Sequence, residues 1–208
     1  MSGILVVRAT DGAVVAEADL GSTDVTVDEL VAAGRAAGAT LVWAHRGDLA
    51  AHGFRSVQGY ARLHGDWNAK RVPAHKTGVD YRLSTVDIAA SPGLLTEAFL
   101  DQWGHKQVHP PAVSDDDGSV VLGLAENSRY VGICQFWPGD RIVDGPGIIP
   151  AVRSAELKAH LLRAVCVLLG DGPVDLDTWG EDDETIAAYM ARGFQVVVRK
   201  LGWELRLN

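Results

Sequence analysis

The run Gly147-Ile148-Ile149-Pro150-Ala151-Val152-Arg153-Ser154-Ala155-Glu156-Leu157-Lys158 closes an apolar segment with a proline, turns on an arginine and opens an amphipathic helix. The first backbone N–H groups of a helix lack intrahelical partners, and the helix dipole favours negative charge beside them, so a pyrophosphate is a natural guest at such a turn. Three carboxylates, Glu126, Asp140 and Asp144, fall near strands expected to flank the same cleft. Any of them could take a proton from an ammonium group, directly or through water. Spacing does not choose among them; Glu126 and Asp144 are carried forward as candidate bases. Other chemistries lack their signatures. Gly-x-Ser-x-Gly and a phosphate-binding Gly-Lys-Thr/Ser are absent, and the seven histidines form no His-Glu-x-x-His and meet no Cys-x-x-Cys. The acidic run Asp115-Asp116-Asp117-Gly118 reads as a hairpin turn, and no metal is expected.

Regular elements must position these groups. Residues 148–152 read as a strand and 153–170 as a loop and a helix with Leu157, Leu161, Leu162, Val165 and Leu168 on its apolar side. A strand over 174–179 and a helix over 182–192 follow; Gly193 ends that helix at positive φ, and Phe194 enters the core ahead of strands over 195–200 and 204–207. Near the other end of the chain, strands over 4–7 and 14–18 flank a turn. Thr26 and Glu29 form a capping box for a helix that Gly38 stops. Strands over 40–44 and 56–63 come next. In both regions a tryptophan (Trp43, Trp179) ends one strand and Gly-Phe (Gly53-Phe54, Gly193-Phe194) opens the next, which reads as an internal repeat. Between the two copies, 65–76 reads as a polar linker, 81–86 as a strand and 92–103 as a helix. Strands over 119–125 and 130–137, joined at Asn127-Ser128, follow.

Pro150, Arg153, Tyr189 and Gly193-Phe194 together resemble the cofactor-binding half of GNAT acyltransferases, whose turn reads Gln/Arg-x-x-Gly-x-Gly/Ala. Glu156 and Lys158 stand where that pattern has small residues. The resemblance implies an α/β GNAT fold, a mixed and mostly antiparallel central sheet flanked by helices, with a partial N-terminal repeat. Its tandem form is similar to mycothiol-synthase-like proteins. The implied division is a truncated half-domain over 1–66, a linker over 67–78 and an acyltransferase domain over 79–208. It further implies coenzyme A held by Ile148, Ile149, Val152, Arg153, Ser154, Ala155, Glu156, Leu157 and Lys158, with acetyl or another small acyl group passing from acetyl-CoA to a primary amine. In that scheme Tyr189 protonates the departing thiolate, and Trp103, His105 and Trp137 border the acceptor. Two alternatives stand beside it: a degenerate domain that binds a ligand or protein without catalysis, and transfer from a donor other than coenzyme A, such as an aminoacyl-tRNA.

A chain of 208 residues is long enough to bury its own core. Its formal net charge of −8 argues against a general nucleic-acid surface and suits a small neutral or cationic partner. No apolar run approaches the roughly 20 residues of a membrane span. The only two cysteines, Cys134 and Cys166, sit in apolar runs, as core thiols of a reducing compartment would. A cytoplasmic protein without a membrane or nucleic-acid partner is expected, with a homodimer left open.

Overall fold

The computed structural model describes residues 3–8, 13–21, 23–45, 47–68, 81–87, 92–99 and 118–208. Strands β1 (Ile4–Arg8) and β2 (Val14–Asp19) pair antiparallel, and helix α1 (Val27–Ala36) carries the chain to β3 (Leu41–His45), parallel to β2. The capping box forms as expected: Glu29 N–H donates to Thr26 Oγ1 at 3.3 Å, and Thr26 N–H donates to the Glu29 carboxylate at 2.8 Å. A single 3-10 turn, Ala50–His52, leads into the long β4 (Arg55–Trp67). Strand β5 (Tyr81–Thr85) and helix α2 (Pro92–Ala98) precede the hairpin of β6 (Val120–Glu126) and β7 (Arg129–Trp137). Asn127 and Ser128, both at positive φ (48° and 69°), make its two-residue turn. Then come β8 (Ile142–Asp144), β9 (Gly147–Ile148), a 3-10 turn at Pro150–Val152, helix α3 (Ala155–Leu169), β10 (Gly172–Trp179), helix α4 (Asp183–Met190) and β11 (Phe194–Arg206).

All the described strands join one eleven-stranded sheet in the order β1-β2-β3-β11-β4-β10-β8-β7-β6-β5, with β9 against β7. Two strands cross between the halves of the chain. β4 inserts between β10 and β11, and β11 returns to pair with β3. About the central β11–β4 pair the connections match from either side. α1 joins the parallel β2 and β3 as α3 joins the parallel β8 and β10, and the Ala50–His52 turn joins β3 to β4 as α4 joins β10 to β11. Each of the latter two ends in a left-handed glycine, Gly53 (φ 81°) and Gly193 (φ 95°), followed by a buried phenylalanine, Phe54 or Phe194. A residue with a Cβ resists that backbone, which is why glycine stands at both ends.

Helices α3 and α4 pack Leu157, Leu161, Leu162, Val165, Ile186 and Tyr189 against Leu63, Leu176 and Phe136. Helix α1 closes a second cluster with Ala16, Val42 and Trp203. Ala98 and Phe99 cover Val121 and Ile133; Ile133 alternates with Cys134 of the α3-side core, so α2 lies on the opposite side of β7.

Several sequence expectations shift. Residues 65–67 continue β4 because Leu63, Gly65 and Trp67 keep the alternation that faces the core, so the polar stretch begins later. The strand expected over 148–152 shrinks to Gly147–Ile148, since Pro150 offers no N–H to a ladder and starts a 3-10 turn. The separate strands over 195–200 and 204–207 are one strand, continuous through bulges at 196/198 and 199/201. Leu168 is exposed, the buried stripe of α3 ending at Cys166. Helix α2 ends at Ala98, and Trp103, His105 and the acidic run 115–117 lie outside the described residues.

Candidate functional site

The sheet parts where β8 leaves β10. Asp144 pairs in register with Asp177, and the next N–H, from Gly145, donates to Asp177 O at 2.7 Å. A Cβ on Gly145 would run into the side chain of Thr178, which is why a small residue stands there. Beyond it the chain turns away, and among the described strands β9 pairs only with β7. Helix α3 begins beside this opening, with Leu157 N–H donating to the Ser154 hydroxyl at 3.2 Å.

The space next to the opening holds the protein's own side chains. Lys158, one or two turns from Leu161, Leu162 and Val165 on the same face of α3, is 3% exposed, and its ammonium pairs with the buried carboxylate of Glu181. The other Glu181 oxygen accepts the Thr178 hydroxyl at 3.0 Å and the Tyr189 hydroxyl at 3.3 Å. Burial lowers the Lys158 pKa against the pull of Glu181, and burial raises that of Glu181 against the pull of Lys158. Removing either member would leave a charge stranded in the core.

This arrangement answers where the cofactor-turn residues stand. Ile148, Ile149 and Leu157 are core. Arg153 Nε donates to Ile148 O at 2.9 Å, and Arg153 Nη2 reaches Ala98 O at 3.4 Å, so the guanidinium ties β9 to the end of α2. Glu156 pairs with Arg192 at 2.9 Å, clamping α3 to the end of α4. Val152 is half-buried against the core, Ala155 is half-buried, and Ser154 is exposed at the turn. Tyr189 is fully buried, with its hydroxyl on Glu181 rather than in a groove. The residues present therefore do not fit coenzyme A as a glycine-bearing turn would: Lys158 fills the ground a small residue would leave open, and Glu156 adds negative charge beside the helix start.

Asp144 occupies a different environment. It alternates with the fully buried Val143, so its carboxyl lies on the side of the sheet away from α3, and burial, reinforced by the charge of Asp177, pushes its pKa up to about 6. Asp177 in turn accepts Tyr60 OH at 2.5 Å and Arg62 at 2.7 and 2.6 Å. Burial opposes its charge, yet the Arg62 and Tyr60 hydrogen bonds hold its pKa below the usual value. Burial and Asp177 push the Tyr60 phenol up to about 12. His64 and Asp175, 2.7 Å apart, extend this ladder.

Glu126 is not part of the cluster. It pairs with Arg129 while Val143 pairs with Phe136, seven positions along β7, or about 23 Å at the rise of a strand. Asp140 is exposed in the β7–β8 turn, and Trp137 pairs with Ile142, on the far side of Val143 from the opening. The Tyr60-Arg62-His64 ladder was missed from sequence, although its alternation with Ala61, Leu63 and Gly65 was the signal. Among the described residues no group of three or more His, Cys, Asp or Glu is placed to hold a metal, and no helix is long and apolar enough to cross a membrane.

No protein-family model and no curated protein matches the chain. Its backbone matches solved structures over nearly its whole length. A GCN5-related N-acetyltransferase from Sphaerobacter thermophilus aligns with a TM-score of 0.57 at 16% identity, over 98% of this chain and 76% of that one. One from Anabaena variabilis aligns with a TM-score of 0.60 at 8% identity, over 99% of this chain and 59% of that longer one. This chain has the GNAT fold. A conserved protein of unknown function from Staphylococcus epidermidis shares it, with a TM-score of 0.52 at 14% identity over 97% of this chain and 87% of that one. The opening beside α3 adjoins residues 148–158, the turn to which the sequence resemblance assigned coenzyme A.

Proposed function

We propose that this chain is an N-acyltransferase of the GNAT type that acts on a primary amine of a small molecule, with Asp144 as the proton acceptor. The observation that carries the reading is the Asp144 carboxyl at the point where the sheet parts, its pKa raised to about 6 by burial and Asp177. A primary amine arrives protonated and attacks only as the neutral base. A carboxylate with a pKa near 6 is ionised at pH 7 and is basic enough to take that proton, leaving R–NH2 and a protonated Asp144. The fold shared with GCN5-related N-acetyltransferases supports the reaction class. The matched connections on either side of the β11–β4 pair support a tandem reading, in which the first half is a truncated copy of the second.

The donor side is closed by the Lys158–Glu181 pair. Acetyl-CoA, the donor the resemblance implies, has to displace that pair, so it is expected to be a poor donor for the unaltered protein, and Tyr189 is assigned no step. Buried thiols at Cys134 and Cys166 and the negative net charge support a reducing, cytoplasmic setting and a small-molecule partner rather than a nucleic acid.

The test follows thiol release from acetyl-CoA across a panel of primary amines, for the unaltered protein, Asp144→Asn and the double variant Lys158→Gly/Glu181→Gln. Slow amine-dependent release that Asp144→Asn lowers at least tenfold and the double variant speeds is the expected result. No amine-dependent release from either the unaltered protein or the double variant overturns it. A second reading, binding without transfer, is favoured by the burial of Tyr189 and Lys158; saturable amine binding with no thiol release in any variant would establish it.

A further inference from the structure

Two carboxylates stand side by side where the sheet parts. Asp144 of β8 and Asp177 of β10 are in register, so they share a face, with Cα atoms about 5 Å apart. Their surroundings differ. Arg62 lies directly opposite Asp177 on β4 and donates from Nε to Oδ1 at 2.7 Å and from Nη2 to Oδ2 at 2.6 Å. Tyr60, the diagonal neighbour, adds its hydroxyl to Oδ1 at 2.5 Å. Among the described residues no group donates a hydrogen bond to the Asp144 carboxyl. Hydrogen bonds to a carboxylate favour its charged form, and a like charge one strand away disfavours a second ionisation. Asp177 therefore gives up its proton first.

Other charged and titratable groups come from every element around the pair. The next rung of β4 and β10 is His64 with Asp175, 2.7 Å apart. Past Tyr60 the face runs into a cavity of about 360 Å³ lined by Asp19, His45, Tyr60, Trp179 and Lys200, with Lys200 Nζ 5.5 Å from the Tyr60 ring centroid. On β7 the Cys134 thiol donates to Asp144 O at 3.2 Å, and burial pushes its pKa well up. Helix α2 brings Glu97, paired with Arg129 at 2.9 Å, and the turn before α3 brings Arg153, bound to Ile148 O and Ala98 O. Lys158 and Glu181 are paired with each other beside α3. Of these described groups, Asp177 is the one whose charge acts on Asp144.

We infer that Arg62 and Tyr60 are positioning residues: by closing on Asp177 they keep that carboxylate ionised and reserve the proton of the pair for Asp144. The inference rests on the reading of Asp144 as the proton acceptor and concerns how that acceptor is prepared. Without the Arg62 fork, Asp144 and Asp177 become two similar carboxyls that share one proton, and the titration belongs to the pair rather than to either residue. A lysine at position 62 would keep the charge and lose the fork, restoring the arrangement only in part.

The test follows the side-chain carboxyl carbon resonances of the aspartates in the full chain from about pH 4 to about pH 8, with Asp144→Asn and Asp177→Asn assigning the two signals. In the unaltered protein Asp144 is expected to titrate in one step near pH 6 while Asp177 stays ionised. Arg62→Met is expected to move both signals in two shared steps, the upper at least about 0.5 higher on the pH scale than the original. Tyr60→Phe is expected to shift Asp144 the same way by less, and Arg62→Lys to fall between Arg62→Met and the unaltered protein. The low-pH limb of amine-dependent thiol release is expected to move with the resonance. An Asp144 step that stays single and within about 0.2 of its original position in Arg62→Met overturns the inference; should that variant not fold, Arg62→Gln decides by the same criterion. Steps that move as expected in a protein that releases no thiol with any amine uphold the clamp and fail the transfer reading alone.

Discussion

Replacing Asp144 by Asn removes a half-buried carboxyl at the parting of the sheet, and the consequence can be followed through pH. The Asp144 pKa stands at about 6 in the folded protein against an ordinary 3.8, so the folded state holds that proton more tightly than the unfolded chain. Its contribution to stability is fully present below pH 3.8 and is lost as pH rises through about 6. A difference of about two on the pH scale, at about 1.4 kcal/mol each, sets a ceiling of about 3 kcal/mol, and partial solvent access brings the expectation to about 2 kcal/mol. Urea denaturation of the unaltered protein and Asp144→Asn at intervals from pH 4 to pH 7 isolates this contribution, since groups elsewhere largely cancel between the two. The stability difference should move by about 2 kcal/mol in favour of the Asn variant as pH rises. A difference that stays flat over that range would refute the burial-and-Asp177 argument, and with it the assignment of Asp144 as a tuned base.

Three further outcomes are expected. Tyr189→Phe deletes a hydroxyl that donates to Glu181 in the core; it should cost about 1 kcal/mol in denaturant unfolding and leave turnover within about twofold, whereas a collapse of turnover at unchanged stability would return Tyr189 to the mechanism. Glu181→Gln strands the buried Lys158 ammonium and should cost about 3–5 kcal/mol; adding Lys158→Met should recover part of that loss, and an equal or larger loss in the double variant would contradict the pairing. Residues 79–208 expressed alone lose β4 from between β10 and β11. That fragment should lack a cooperative thermal transition by circular dichroism, and a sharp transition would show that the strand exchange is dispensable.

Local rules made much of the fold legible. Thr26 and Glu29 announced a helix start because a capping box involves only neighbours in sequence, and Gly193-Phe194 announced a left-handed stop and a core residue for the same reason. The strand crossings escaped because nothing local says that residues 55–67 pair with β10, more than a hundred positions away. Strand β11 looked broken because its bulges interrupt the alternation that sequence reading relies on. The site was half legible. Asp144 was named from its neighbourhood of strands, but its distinction from Glu126 needed the register of β7 with β8 and β6. Lys158 could have been caught: it lies in helical register with Leu161, Leu162 and Val165, so its stem had to be buried and its charge had to find an acid. That the acid would be Glu181, and that Tyr189 would join it, is a long-range fact. The cavity of Asp19, His45, Tyr60, Trp179 and Lys200 draws on five strands and has no motif.

The most direct measurement is equilibrium titration of acetyl-CoA into the unaltered protein and into Lys158→Gly/Glu181→Gln. If the buried ion pair occupies the ground beside α3, the unaltered protein binds at best in the millimolar range and the double variant at least tenfold more tightly, a gain of about 1.4 kcal/mol or more. Low-micromolar binding by the unaltered protein, unchanged in the double variant, would mean that Lys158 and Glu181 do not stand in the carrier's place.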